Sequence, residues 1–334
     1  MLTMLGSPRR CCDGLTRRET LKAGALSALG GFGLPQFLHA SEAGHVVPGK
    51  AKSVILLYLL GGAASQDMWD LKPAAPPEIR GEFRPINTNV SGIQISEHLP
   101  LTANWMHKMS IVRSLNHKAG CHNCLPSYCG WELPPTNQHP TDNDPPSMGS
   151  VCEYLKGQGY FRDEPRANGP DDFPAYHYMP TWLGWGQAFR RAGPYGGFLG
   201  KKFDALTTEC EPYWDKVGHQ PLPGTPQTVR GEPVLPNSAL QDGITVDRLN
   251  LRRSLLGQLD DEVRRLESLD TRAGYDRAQQ KAFDILTSSK LRACFDLKSE
   301  RPEVLDRYGH TLFGSSTLIA RRLVESGAKF VNVT

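Results

Sequence analysis

The chain has 334 residues, of which 39% are hydrophobic and 22% charged. That composition excludes a disordered or collagen-like chain and leaves room for one large domain or two ordinary ones. Residues 1–40 hold five basic and two acidic side chains, the whole of the +3 net charge, so residues 41–334 are neutral and give no electrostatic footprint for nucleic acid.

In chain order, the first element is a leader. Thr16-Arg17-Arg18-Glu19-Thr20-Leu21-Lys22 precedes an Ala- and Gly-rich apolar run, Ala23 to Phe37, that ends at Leu38-His39-Ala40. A basic start, a short apolar stretch and small residues at its end predict an export signal over residues 1–40. The paired arginines are similar to a twin-arginine signal, with Thr20 where Phe is usual. The run is too short to span a bilayer, and no later segment predicts a transmembrane helix. The mature chain is therefore expected in the periplasm or at the cell surface.

Three apolar runs predict strands. Ser53-Val54-Ile55-Leu56-Leu57-Tyr58-Leu59-Leu60 has no alternation and ends in Gly61-Gly62, the pattern of a strand buried on both faces of a parallel sheet. Met109 to Ser114 is expected to be a second such strand, and Lys329-Phe330-Val331-Asn332-Val333 a third. A helix carrying Leu318, Ile319, Leu323 and Val324 on one face, closed by Gly327, precedes the third, so helix, glycine and apolar strand form half of a βαβ unit. The expected class is α/β, with a mostly parallel sheet between helices.

Sixteen of the 26 prolines fall between Trp131 and Leu240, which excludes long helices there and predicts extended loops over about 131–240. Within it Ser147 is placed to cap a helix through Val151 and Leu155 that ends at Gly157-Gln158-Gly159, and Phe173 to Met179 reads as a strand. Thr245 to Leu269 has the spacing of an amphipathic helix, and a further helix is expected around Gln279–Leu286. Residues 41–334 are read as one domain. Because the last strand has no helix after it, that domain is expected to be incomplete.

Ligands of parallel α/β sheets bind beyond the carboxyl ends of the strands, and the sequence offers two such ends. After the first strand, Asp67 and Asp70 are hard oxygen donors suited to a divalent metal, or a helix cap. After the expected second strand, Arg113, His117, Cys121, His122 and Cys124 fall within twelve residues. His117 and His122 are candidate metal ligands, and Arg113 a candidate holder of an anionic oxygen. The alternative is that one His caps a turn and the other packs. Cys121 and Cys124 are separated by two residues with no second such pair, so a disulfide or inert thiols is the reading preferred over a redox site. His98, His107, His177 and His310 stand alone and read as structural. No nucleophile elbow, phosphate loop or His-Glu-x-x-His helix is present, and nothing fits a nucleotide fold.

Taken together, Ser53 to Gly62, Asp67-Met68-Trp69-Asp70-Leu71-Lys72-Pro73, Ile79-Arg80-Gly81-Glu82-Phe83, Glu97-His98-Leu99-Pro100 and Ile111-Val112-Arg113-Ser114 resemble the domain-of-unknown-function 1501 family. His117, His122, Cys129-Gly130, Pro146 to Ser150, Gly197-Phe198-Leu199-Gly200, Arg253-Ser254-Leu255-Leu256 and Ala320 to Gly327 continue the likeness in the family's order. The family is similar to the sulfatase-like branch of the alkaline phosphatase superfamily, whose members often begin with a twin-arginine signal. The resemblance implies an alkaline-phosphatase-like fold and metal-dependent hydrolysis of phosphate or sulfate esters, small-molecule or polysaccharide. The implied cofactor is a divalent metal (Zn, Ca, Mg or Mn).

Carried across, Asp67 and Asp70 fall where the first strand supplies a metal carboxylate, and His117–His122 where the superfamily has its nucleophile. Cys121 and Arg113 are thus the candidate catalytic residues. Cys121 lacks the Pro and Arg that follow a sulfatase's modified Cys or Ser, which argues against a formylglycine enzyme. In the family, the strand matching Phe330 to Thr334 leads to further Asp and His ligands, so the two-metal site is expected to be incomplete and the chain inactive as it stands. The alternative is a non-catalytic exported protein that binds a carbohydrate or a protein partner, motivated by Trp182-Leu183-Gly184-Trp185.

Overall fold

The computed structural model describes residues 51–59, 62, 64–115, 124–130, 138–161, 173–185, 189–214, 228–235 and 288–334. The export leader, the segment 116–123, and the helices expected over 245–269 and 279–286 lie outside the described residues. The chain divides at Lys52, and the unit from Ser53 to Thr334 is the one described below.

Its strands are β1 (Val54–Leu57), β2 (Pro85–Asn87), β3 (Gln94–Ser96), β4 (Tyr176–Met179), β5 (Leu206–Thr207), β6 (Tyr213–Trp214), β7 (Val229–Arg230) and β8 (Phe330–Val333). Its helices are α1 (Ser65–Met68), α2 (Pro77–Arg80), α3 (Pro100–Ala103), α4 (Leu125–Cys129), α5 (Met148–Gly157), α6 (Ser289–Phe295), α7 (Pro302–Tyr308) and α8 (Leu312–Glu325). The main sheet has the order β1-β8-β4-β5, and every pairing in it is parallel. Val54 lies opposite Phe330 and Leu57 opposite Val333, while Tyr176 and Met179 flank the same two β8 residues on the other side. The mixed α/β class with a parallel sheet flanked by helices is as expected.

Helix α8 forms where its sequence offers an apolar stripe. Thr311 caps it by accepting from the Gly314 amide at 3.0 Å, and Leu318, Ile319 and Leu323 are fully buried. That stripe packs with Leu291, Cys294 and Leu297 of the α6 region and with Met179, Val331 and Val333 of the sheet. Helix α5 covers the other face. Its cap is Ser147, whose Oγ accepts from the Ser150 amide at 3.1 Å. Gly149 lies so close to the Tyr176 ring that a Cβ there would stand 2.1 Å from a ring carbon. Glu153, one turn further along, accepts the amides of Ala175 and Tyr176 at 2.7 and 3.0 Å and so fixes where β4 begins.

Two expectations are corrected. Met109 to Ser114 forms no strand, and Val112 and Leu115 are 71% and 84% exposed. An apolar run becomes a strand only with a backbone partner, and the side of β1 away from β8 has none among the described residues. For the same reason β1 is an edge strand, and Val54, Ile55 and Leu57 are exposed where burial on both faces was expected. The hairpin of β2 and β3, unforeseen in the sequence, builds a small separate core of Ile95, Ala103 and Met106 with Trp69, Ile86 and Ile111 around it.

Candidate site at the carboxyl edge of the sheet

Alternate residues of a strand point to opposite faces. On β4 and β8, Met179, Val331 and Val333 join the α8 core, while Tyr176, Tyr178 and Asn332 carry polar atoms to the α5 side. Tyr176 lies opposite Phe330, yet its hydroxyl meets Asn332 Nδ2, two residues further on, at 3.4 Å. Tyr178 lies opposite Asn332, and its hydroxyl is 2.6 Å from Thr334 Oγ1. Both rings therefore lean toward the carboxyl edge and carry their hydroxyls with them.

The edge is completed from two other elements. Tyr58, just after β1, continues the ladder by donating its amide to the Val333 carbonyl at 2.7 Å, and its ring lies 5.2 Å from that of Tyr128 on α4. Tyr128 in turn lies 6.4 Å from Tyr178. Cys124, Tyr128, Tyr178 and Leu183 form a buried cluster with Tyr58 against it. The Tyr58 hydroxyl donates to Ser127 Oγ at 3.3 Å. Ser147 Oγ, at the amino end of α5, donates to the Tyr176 hydroxyl at 3.2 Å.

Burial pushes the phenols of Tyr128, Tyr176 and Tyr178 far above their ordinary value near 10, outweighing the hydrogen bonds from Ser147 and Thr334 that favour ionisation of Tyr176 and Tyr178. Tyr58 is raised for the same reason, against the opposing effect of its bond to Ser127. These hydroxyls stay protonated at neutral pH. They can donate hydrogen bonds to an anionic or ester oxygen and cannot act as bases. Asn332 Oδ1 is buried and accepts no hydrogen bond from the described residues, which leaves one acceptor for a water or a ligand hydroxyl.

The sequence-derived candidates separate. Asp67 is not a helix cap: that position is Ala64, which makes no side-chain cap, and Asp67 stands in the first turn of α1. Its carboxylate forms no hydrogen bond or ion pair with the described residues. Gly81 faces it, with φ +74, and a Cβ there would come within 2.9 Å of Asp67 Oδ1. Asp70 is engaged instead. Its two oxygens lie 2.6 Å from Lys72 Nζ and 3.8 Å from Arg113 Nε. The structure thus brings Asp70 and Arg113 together, and Arg113 also donates to the Gln94 carbonyl at 3.4 Å.

His117, Cys121 and His122 lie outside the described residues, but both flanks of their segment are described. One flank is Arg113 with Asp70, and the other is Cys124 with α4 in the tyrosine cluster. Among the described residues, no three His, Cys, Asp or Glu side chains form a group able to hold a metal. Cys152, Cys210 and Cys294 are free thiols whose pKa burial raises. His98 packs edge-on against Phe83, and His310 pairs with Asp306 at 2.8 Å. His177 is buried beside Phe173.

The sequence reading missed the tyrosines. Tyr176 and Tyr178 are two apart in a segment read as a strand, as are Asn332 and Thr334, so a shared polar face on two strands was the signal available. No helix among the described residues is long and apolar enough to cross a membrane.

The sequence matches over residues 51–334 a family described as "Protein of unknown function (DUF1501)". No curated protein and no solved structure matches the chain.

Proposed function

Because the chain belongs to the DUF1501 family, we propose that it is an exported, metal-dependent hydrolase of the sulfatase-like, alkaline-phosphatase-related type, acting on phosphate or sulfate esters. The observation that carries this reading is the carboxylate of Asp67, which has no partner among the described residues and lies on the segment that follows the first strand of a parallel sheet. A carboxylate in that place is open to a cation.

The donor types fit a divalent metal. Asp67 would hold it together with His117 and His122, a mixed oxygen and nitrogen set suited to Zn or Mn. When bound, such a metal polarises the ester and lowers the pKa of a coordinated nucleophile. The rest of the chemistry belongs to the chain. Arg113 offers a guanidinium to a non-bridging ester oxygen, and Asp70 holds it in place at 3.8 Å. Asp70 is thus a positioning residue in this reading. The protonated hydroxyl of Tyr178 supplies a donor at the strand ends, in a setting where burial strengthens the hydrogen bond.

Export rests on the basic, apolar leader over residues 1–40, and a reporter fused to those residues that stays in the cytoplasm would refute it. The hydrolase reading is tested on the full chain refolded with Zn²⁺, Mn²⁺, Mg²⁺ or Ca²⁺ and supplied with aryl phosphate and aryl sulfate esters. Turnover that disappears in Asp67→Ala together with bound metal supports it. Metal content unchanged by Asp67→Ala refutes the ligand assignment. The alternative, a non-catalytic protein that binds a carbohydrate, rests on Trp182 and Trp185, which are both half-buried, and absence of binding on a glycan panel would refute it.

A further inference from the structure

Away from the carboxyl edge, a groove of about 460 Å³ runs between the turn at Trp105 and the helices α7 and α8, lined by Trp105, Val304, Arg307, Tyr308 and Arg321. Its volume lies within the range of small-molecule sites. Trp105 is 56% exposed, with the His107 ring stacked 6.4 Å from it. Lys108 Nζ stands 4.9 Å from the centre of the Trp105 ring, and the Arg321 guanidinium stands 5.5 Å from the centre of Tyr308. The groove thus joins two aromatic rings with three cations around them.

The charges are unequally committed. Arg321 is held by Glu300 at 3.0 Å and Glu325 at 3.5 Å, so its charge is largely neutralised within the protein. On α7, Asp306 is paired with His310. Arg307 and Lys108 form no ion pair among the described residues, which leaves these two cations open to a ligand.

We propose that this groove binds a sugar ring bearing a carboxylate or sulfate, as part of an anionic polysaccharide. A pyranose presents a flat face of C–H groups that stacks on Trp or Tyr, burying apolar surface without desolvating its hydroxyls. Arg307 adds the planar fork that pairs with a carboxylate or sulfate through two hydrogen bonds. Neither element alone selects this ligand, since aromatic rings accept any sugar and Arg any anion. Their conjunction does. The inference is independent of the hydrolase reading, because the groove shares no residue with Asp67, Arg113 or the tyrosine cluster.

The test is calorimetry on the folded full chain with four probes: a chondroitin sulfate oligosaccharide, an oligogalacturonate, a neutral dextran oligomer, and a single-stranded oligonucleotide of equal charge. At least one acidic oligosaccharide is expected to bind, with affinity falling as salt rises. Trp105→Ala and Arg307→Ala, both substitutions of exposed side chains, are each expected to weaken that binding about tenfold while leaving the circular dichroism spectrum unchanged. Dextran binding as tight as the acidic glycans would overturn the role of Arg307. Oligonucleotide binding that is equal or tighter would reassign the groove to stacked bases. No acidic glycan binding, or binding indifferent to both substitutions, would end the proposal. Turnover of small aryl esters is not part of this readout, so the two proposals fail separately.

Discussion

The two faces of the main sheet are made by the same strands and do opposite work. Toward α8, Met179, Val331 and Val333 meet Leu318, Ile319 and Leu323 in an apolar contact, with His177 buried beside Phe173 on the same side. Toward α5, the residues in between are Tyr176, Tyr178 and Asn332, and their polar atoms are joined to Ser147 and Thr334. Apolar burial is non-directional and tolerant of detail, whereas a buried hydroxyl must find its partner or destabilise the fold. One face therefore supplies stability and the other fixes geometry. A strand can serve both because its side chains alternate.

This division predicts a graded response. Leu323→Ala on the α8 face should lower the unfolding free energy by about 2–5 kcal/mol, through lost burial plus the cavity left behind. Urea denaturation checks it, and a loss below 1 kcal/mol would show that the α8 face is not the stabilising one. Gly149→Ala is next. A Cβ 2.1 Å from the Tyr176 ring must displace helix or ring, at a cost of about 1–3 kcal/mol, and the same denaturation series reads it.

Tyr178→Phe should cost about 0.5–1.5 kcal/mol, the value of one hydrogen bond, while reducing ester turnover by a larger factor. Equal losses in turnover and in folded fraction would mean that the hydroxyl is only structural. A related prediction concerns alkali. The folded pKa of these phenols lies above the unfolded value near 10, so the folded state binds more protons than the unfolded state as pH rises past 10. The stability they contribute is complete below pH 10 and is lost above it. Tyrosinate absorbance should therefore rise together with loss of circular dichroism. Gradual ionisation of an intact fold would contradict the burial. Smallest is Asp67→Asn, expected to change stability by no more than about 0.5 kcal/mol while removing bound metal, measured by elemental analysis of the refolded chain.

Local signals in the sequence were faithful wherever one element decides its own fate. Ser147 sits at the cap of α5, Gly327 follows α8, and three of the four strands of the sheet fall within the runs Ser53 to Leu60, Phe173 to Met179 and Lys329 to Val333. What periodicity does not contain is the partner. Met109 to Ser114 has the composition of a strand but no backbone neighbour, and β1 has the composition of a central strand but stands at the edge. The candidate site was legible as residue types and not as commitments. Asp67 and Asp70 look alike in sequence. Only the packing shows that Asp70 is occupied by Lys72 and Arg113 while Asp67 is not. The tyrosine cluster depends on the register between β4 and β8, which no local pattern states.

The seating of β8 between β1 and β4 has a consequence for the chain's birth. Ser53 donates to the carbonyl of Ala328, 275 residues later, and among the described residues β1 has no neighbour in the sheet except β8. Until β8 has been synthesised, the place between β1 and β4 is vacant, and no described strand joins the two into one sheet. Closing so long a loop is slow, and the waiting strands are open to pairing with other chains. Synthesis of this protein thus places a demand on the cell's holding machinery that lasts until β8 has been made.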